Sequence, residues 1–275
     1  MSGLDAATLR RVEHIMGLPI SLDLRDPAPP LRQAAQQAFG WLHEVDRRFS
    51  PFQNGSEVCR LARGELTPTQ TSPELAEVLA LCARYEQTSD GAFQAWPPNQ
   101  PFDPCGLVKG WAVQRAAEIL RDAGARRFCF NAGGDVLTAG EPQRGRAWQV
   151  GIRHPVHTHQ LCAVVSMRDG AVATSGTYER GTHIIDGRTG RPVRDLVSLT
   201  VIAPDLTTAD ATSTAAFAMG TDGIGWAHAQ PDCLVFAIDA HHRVHRSAEL
   251  NDALVPTHPS NRTIRSQPAR SPTTQ

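Results

Sequence analysis

At 275 residues the chain is long enough for one large domain or two ordinary ones, so its core needs no disulfide staple and mini-protein scaffolds are excluded. Hydrophobic residues make up 41% and charged residues 20%, and no run approaches the roughly 18 to 20 apolar residues of a bilayer-spanning helix, so a globular protein without membrane insertion is expected. Lys and Arg (27) balance Asp and Glu (28) to a formal charge of -1, which argues against a broad nucleic-acid or acidic-lipid surface and leaves room for a local anion site.

The opening MSGLDAATLRRVEHIMG has neither an apolar signal core nor a Cys placed for lipid attachment, so the expected location is the cytoplasm. Residues 12–24 alternate apolar with small or polar residues and predict a strand or hairpin interrupted at Gly17 and Pro19. After Pro29-Pro30, residues 31–48 predict an amphipathic helix with Leu31, Ala34, Ala35, Ala38, Trp41, Leu42 and Val45 on one face. A turn over Phe49–Gly55 leads into a short helix, and Ser72-Pro73-Glu74 caps another through Leu75, Val78, Leu79, Cys82 and Ala83. Residues 89–105 hold four of the 20 prolines and read as a loop. The next helix runs through Trp111, Ala116, Ile119 and Leu120 and stops at Gly124.

The second half changes character, with short strand-like runs separated by Gly, Pro or Asp, then helical pattern at 208–219 and near 221–229 and a last strand, CLVFAID. Helices followed by strands predict an α+β fold, with helices packed on mostly antiparallel sheets. No linker divides the halves, so one composite domain over 1–250 is expected, followed by a disordered tail over 251–275 rich in Pro, Ser, Thr and Arg.

Four segments carry candidate chemistry. D-P-C-G-L-V-K-G-W-A (103–112) sets Gly106 and Lys109 at a helix start, where free amides and a cation favour an anionic ligand. Lys109 is the one Lys among the 27 basic residues, and a compact ammonium differs from the Arg fork chiefly at tight sites. N-A-G-G-D (131–135) is an exposed-backbone turn after a strand. T-S-G (174–176) precedes His183 and Asp186, an imidazole near a carboxylate. Asp210 and Thr214, four apart on a helix, put two oxygens on one face, a pattern that suits Mg²⁺. The six cysteines show no C-x-x-C pair and read as small hydrophobes, and the histidines at 154, 157, 159, 241, 242 and 245 lack a Cys or carboxylate at ligand spacing.

In order, these segments resemble the ApbE family of FAD:protein FMN transferases. The resemblance rests on Met16-Gly17, Phe49-Ser50-Pro51-Phe52 with Ser56-Glu57, Cys105 to Ala112, Asn131 to Asp135, Thr174 to Tyr178, His183 to Pro192, and Ala209 to Ala215. It implies an ApbE-like, T-fold-like α+β domain that binds FAD with Mg²⁺ at the pyrophosphate and moves the FMN half onto a Ser or Thr hydroxyl of an acceptor protein, releasing AMP. By position it implies Asp210, Thr214 and a carbonyl at Gly106 as Mg²⁺ ligands and His183 with Asp210 as catalytic residues. Met16, Phe52, Gly106, Lys109, Asn131, Gly133, Gly134, Asp135, Thr174, Ser175, Gly176 and His183 fall where the cofactor would be contacted.

The chain departs from the family pattern at Cys105, where a second Gly is usual, at Phe52, where a Tyr is usual, and after Asp90-Gly91-Ala92-Phe93, where D-P-T and a long insertion give way to Gln94-Ala95-Trp96 and a short run to Asp103. The abbreviated 93–103 loop bears on one wall of the flavin site. Hydrolysis of FAD to FMN and AMP and non-catalytic FAD binding are the competing readings, and the acceptor protein and oligomeric state stay open.

Overall fold

The computed structural model describes residues 8–97, 101–157, 159–177 and 184–255. The chain opens with a hairpin of β1 (Thr8–Ile15) and β2 (Leu18–Arg25). Its two-residue turn, Met16-Gly17, has φ of 55° and 73°, the doubly positive geometry that matches strand twist. Pro19 does not interrupt the strand as expected: it sits near the start of β2, where a missing N–H is tolerated, opposite His14.

Four helices follow. α1 (Pro29–Phe49) starts on two prolines and buries Ala34, Ala35, Ala38, Phe39, Leu42, Val45 and Phe49. α2 (Glu57–Ala62) is capped by Ser56, whose Oγ accepts from the Cys59 amide (3.0 Å), and α3 (Pro73–Thr88) is capped the same way by Ser72. α4 (Cys105–Asp122) ends before Gly124, which supplies the positive φ of 93° that closes it.

The remaining elements are β3 (Phe128–Ala132), β4 (Asp135–Ala139), β5 (Trp148–Arg153), β6 (Leu161–Met167), β7 (Gly170–Gly176), β8 (Ile185–Asp186), β9 (Arg191–Pro192), β10 (Leu196–Ala203), α5 (Leu206–Ala218), α6 (Asp222–His228), β11 (Leu234–Asp239), β12 (Val244–Arg246) and α7 (Leu250–Ala253). Eight strands form one sheet in the order β1-β2-β3-β4-β7-β10-β11-β12, and β5-β6 and β8-β9 form two small ribbons. Every described pair is antiparallel, so the expected α+β class is the one adopted. No described helix is long and apolar enough to cross a membrane.

One face of the large sheet packs on α1, α4 and α5 around Phe39, Trp111, Phe128, Phe130 and Phe217, with α3 packed on α4 and α5. On the other face Val150, Ile152, Ala163 and Val165 of the β5-β6 ribbon cover Val136, Val172, Ile202, Phe236 and Ile238. β4 is therefore buried along its whole length, a strand enclosed on both sides. Leu250, fully buried against this second layer, contributes about 2 kcal/mol. It also corrects the tail boundary: α7 continues to Ala253 and the Val255 amide donates to the Val164 carbonyl (2.9 Å), so the anchored chain extends past residue 251. Residues 256–275 of the expected tail lie outside the described residues.

α5 is buried on nearly every side, which a helix can sustain only when its residues are small enough for neighbours to close in; here they are largely Ala, Ser and Thr. α4 meets it at Gly110. A Cβ at that position would stand 2.5 Å from both the Asp210 Cβ and the Leu206 carbonyl oxygen. Gly110→Ala should accordingly lower stability by about 3 kcal/mol by prising α4 from α5; an unchanged urea midpoint would show that the helices part freely.

Candidate active site

α4, α5, the β3-β4 turn, the end of β7 and the outer face of β5 enclose one cleft of about 980 Å³. Of the residues singled out in the sequence, Gly106, Lys109, Asn131, Gly133, Gly134, Asp135, Thr174, Ser175, Gly176, Asp210 and Thr214 all line it. They come from segments up to about a hundred residues apart, joined by the way β4 and β7 diverge. Those strands pair only over Val136–Thr138 and Gly170–Val172. Past that point the Thr174 amide donates to Asp135 Oδ1 (3.0 Å) in place of a ladder bond, and the cleft opens between the strands.

At its centre Lys109 Nζ donates to Asp135 Oδ2 and to Asp210 Oδ1, the latter at 2.7 Å. Both carboxylates are 6% exposed and the lysine side chain 23%. Asp210 Oδ2 also accepts from the Gly110 amide (2.7 Å), so each acid carries one ammonium and one backbone hydrogen bond. Two enclosed like charges require a cation between them, and a single-point ammonium on a flexible stem can serve both at once.

Beside the triad, Gly106 packs so closely on α5 that a Cβ would stand 3.0 Å from Thr214 Cγ2 and 3.1 Å from the Phe93 ring. Ser213 Oγ donates to the Asp210 carbonyl (3.0 Å), and Ser175 Oγ, 3.0 Å from Ser213, therefore donates to it. Among the described residues Thr214 Oγ1 has just a long 3.4 Å contact to Ser175, and Thr214 lines the cleft. One carboxylate, one hydroxyl and the adjacent α4 backbone make an all-oxygen donor set with a low charge count. Such a set fits Mg²⁺, which keeps waters and phosphate oxygens among its ligands. No group of three or more His, Cys, Asp or Glu able to hold a metal is present among the described residues.

The rim is made by two adjacent turns. Gly133 and Gly134 take φ of 60° and 106°, the Gly134 amide is held by Asn131 Oδ1 (3.0 Å), and the Gly133 amide donates to the Pro19 carbonyl (3.0 Å) beside the β1-β2 turn. Gly17 lines the cleft while Met16 packs against the core.

Three expected residues fall elsewhere or outside view, Met16 being the first, since it packs against the core and not on the cleft wall. Phe52 is 89% exposed and is not on the cleft wall. Its segment serves the helices: Ser56 Oγ donates to the Ser50 carbonyl (2.7 Å), Glu57 accepts from Arg48 (2.9 Å) and Ser72 (2.7 Å), and Phe49 stacks on Trp111 at 5.4 Å. Burial works to raise the Glu57 carboxyl, but hydrogen bonds from Ser72 and Arg48 outweigh it and hold it below the ordinary range. His183 lies outside the described residues. Asp186, read as its carboxylate neighbour, is bound by the Arg188 side chain (2.9 Å) and amide (3.0 Å); burial pushes its carboxyl up, and these contacts more than reverse that.

Sequence reasoning missed the β5 wall, where Gln149, Gly151 and Arg153 face the cleft; the short loop it tied to one wall of the site does place Gln94 there. The alternation of β5 shows which residues point away from Val150 and Ile152 but not what they point toward. The cysteine reading also needs amending: Cys82 and Cys233 are buried, but Cys105 is exposed at the head of α4.

Lys109→Met would leave Asp135 and Asp210 without their shared cation and should cost about 3 kcal/mol in urea unfolding. Adding Asp135→Asn to that variant should restore a large part of the loss, the non-additivity of a coupled pair; additive losses would show that the lysine bridges nothing.

The ApbE family model matches residues 16–97 and 96–236 of the chain. The FAD:protein FMN transferase of Haemophilus influenzae is 26% identical over 66% of this chain and 71% of its own length. That of Rhodobacter capsulatus is 38% identical over 46% of this chain and 25% of its own length, and that of Escherichia coli is 33% identical over 46% and 38%. The chain thus aligns with well under half the length of the latter two. In fold it is similar to the crystal structure of the ApbE protein of Thermotoga maritima (TM-score 0.78, 22% identity, 90% of this chain and 99% of that one) and to the flavin transferase ApbE of Vibrio cholerae (TM-score 0.77, 22% identity, 90% and 100%). With the family model spanning most of its length, the chain belongs to the ApbE family.

Proposed function

We propose that the protein is a Mg²⁺-dependent FAD:protein FMN transferase, moving the FMN moiety of FAD onto a Ser or Thr hydroxyl of an acceptor protein with release of AMP. The observation that carries this reading is the convergence of Gly106, Lys109, Asp135, Asp210 and Thr214 on one cleft in a chain of the ApbE family.

In this reading the dinucleotide's diphosphate lies against the head of α4, where the helix dipole and the Lys109 ammonium favour negative charge. Asp210 and Thr214, with the backbone at Gly106, would hold Mg²⁺, which when bound supplies charge neutralisation at the diphosphate. Asn131, Gly133 and Gly134 present backbone and amide groups at the rim, and Thr174, Ser175 and Gly176 the opposite edge. The acceptor hydroxyl oxygen forms a bond to the phosphorus of the FMN half while the bond from that phosphorus to the AMP oxygen breaks. His183 takes the hydroxyl proton, and AMP leaves with the bridging oxygen. The residues contribute position and electrostatics, the main sources of rate in phosphoryl transfer.

Incubation with FAD, Mg²⁺ and a candidate acceptor, followed by AMP, free FMN and acceptor mass, tests the assignment. FMN-bearing acceptor supports it; free FMN and AMP alone assign the chain to hydrolysis, and neither product assigns it to binding. His183→Ala should lower turnover about 10²- to 10⁴-fold with FAD affinity retained; loss of binding instead would make that histidine structural. Asp210→Asn should abolish AMP release, as should chelation of Mg²⁺, and full activity under either condition removes the metal from the scheme.

A further inference from the structure

Lys109 and the proposed metal draw on the same carboxylate. Asp210 Oδ1 accepts from Lys109 Nζ (2.7 Å) and Asp210 Oδ2 from the Gly110 amide (2.7 Å), so both oxygens already hold a donor, and the side chain is 6% exposed. Thr214, one helical turn on, adds an oxygen but no charge. A divalent cation at Asp210 therefore shares its one anionic ligand with an ammonium, in an enclosed setting that screens like charges poorly.

Asp135 gives the ammonium a second partner. It accepts from Lys109 through Oδ2 and is held separately through Oδ1 by the Thr174 amide (3.0 Å). A point charge on a flexible stem can slacken its hold on one carboxylate and keep the other, whereas the planar fork of Arg, used at every other basic position of the chain, binds in a fixed geometry. Lys109 is also the more open member of the three, 23% exposed against 6% for each acid, so it is the group that an anion entering the cleft meets.

The charges of these three side chains decide what binds. Two carboxylates and one ammonium sum to a single negative charge. A divalent cation alone would reverse that sign and a doubly negative diphosphate alone would deepen it; the two together leave it unchanged. Without Lys109 the balance would tip to the metal, because two enclosed carboxylates with no cation attract Mg²⁺ whether or not a dinucleotide is at hand.

We infer that Lys109 sets the order of binding: by competing with Mg²⁺ for Asp210 and attracting the diphosphate, it keeps the metal from binding tightly until the dinucleotide is in the cleft. This rests on Mg²⁺ and FAD as the ligands of the proposed function. Asp135 is the partner that retains the ammonium when the metal takes its share of Asp210.

Calorimetric titrations with MgCl₂ alone, and with FAD in EDTA, compare the wild-type chain, Asp135→Asn and the double variant Lys109→Met/Asp135→Asn, in which the loss of stability expected for Lys109→Met is largely relieved. Between the two variants only the ammonium differs. Its loss should tighten Mg²⁺ about 10- to 100-fold, as removal of one like charge at close range does in an enclosed site, and weaken FAD about tenfold. Opposite signs mark a charge effect, because a lysine that merely held the cleft together would weaken both ligands when lost. Asp135→Asn, which leaves the ammonium to Asp210 alone, should move the other way, with Mg²⁺ weaker and FAD tighter than in the wild-type chain, and it keeps the test decisive if the double variant does not fold. Mg²⁺ affinity that is unchanged or lower on losing the ammonium, or unchanged or higher in Asp135→Asn, would overturn the role of Lys109 while leaving the transferase reading intact. A wild-type chain that binds FAD neither in EDTA nor with MgCl₂ would overturn the transferase reading itself, and the binding order with it.

Discussion

The structure depends on one ammonium held between two enclosed carboxylates. Lys109 joins Asp135, at the start of a strand covered on both faces, to Asp210, in a helix buried nearly all round. Without the cation, charge repulsion and desolvation would both oppose bringing these elements together. With it, the sheet, α4 and α5 meet at a point where charge is concentrated and water is largely excluded. The same contact organises the core and polarises the cleft.

Geometry around that contact follows from small residues. Gly110 admits the α5 backbone, Gly106 admits Thr214, and Gly187 admits Gln94, so in each case the missing Cβ is what lets two segments reach their observed separation. The two rim turns use glycine for another reason, since Gly17, Gly133 and Gly134 adopt positive φ. Close approach and turn formation are separate demands, and the cleft uses glycine for both.

Much of this was legible in the sequence because the relevant signals are local. The break at Gly17, the turn glycines at 133–134, the serine cap at 72 and the helical pattern of α1 and α5 each depend on neighbours within a few positions. The lone lysine singled itself out by composition. Its partners did not: Asp135 and Asp210 lie 26 and 101 residues away, and only the sheet order brings them together. Phe52 stands off the cleft wall because the segment around it ties α1 to α2 and α3, a role that leaves its ring outside. The β5 face escaped notice because a polar strand edge has no period that reports what it faces. The end of the fold was also set a few residues early, since Leu254 looks like an isolated apolar residue until the β5-β6 layer it packs on is known.

Placing Asp210 and Thr214 on the most enclosed helix of the molecule couples chemistry to persistence of the fold. A helix with free surface can drift in sequence on its outer side while its inner side is preserved; α5 has almost no outer side. Most replacements there are felt first as lost packing. The two oxygens facing the cleft therefore sit in a neighbourhood that selection for folding alone would keep still, whether or not substrate is at hand.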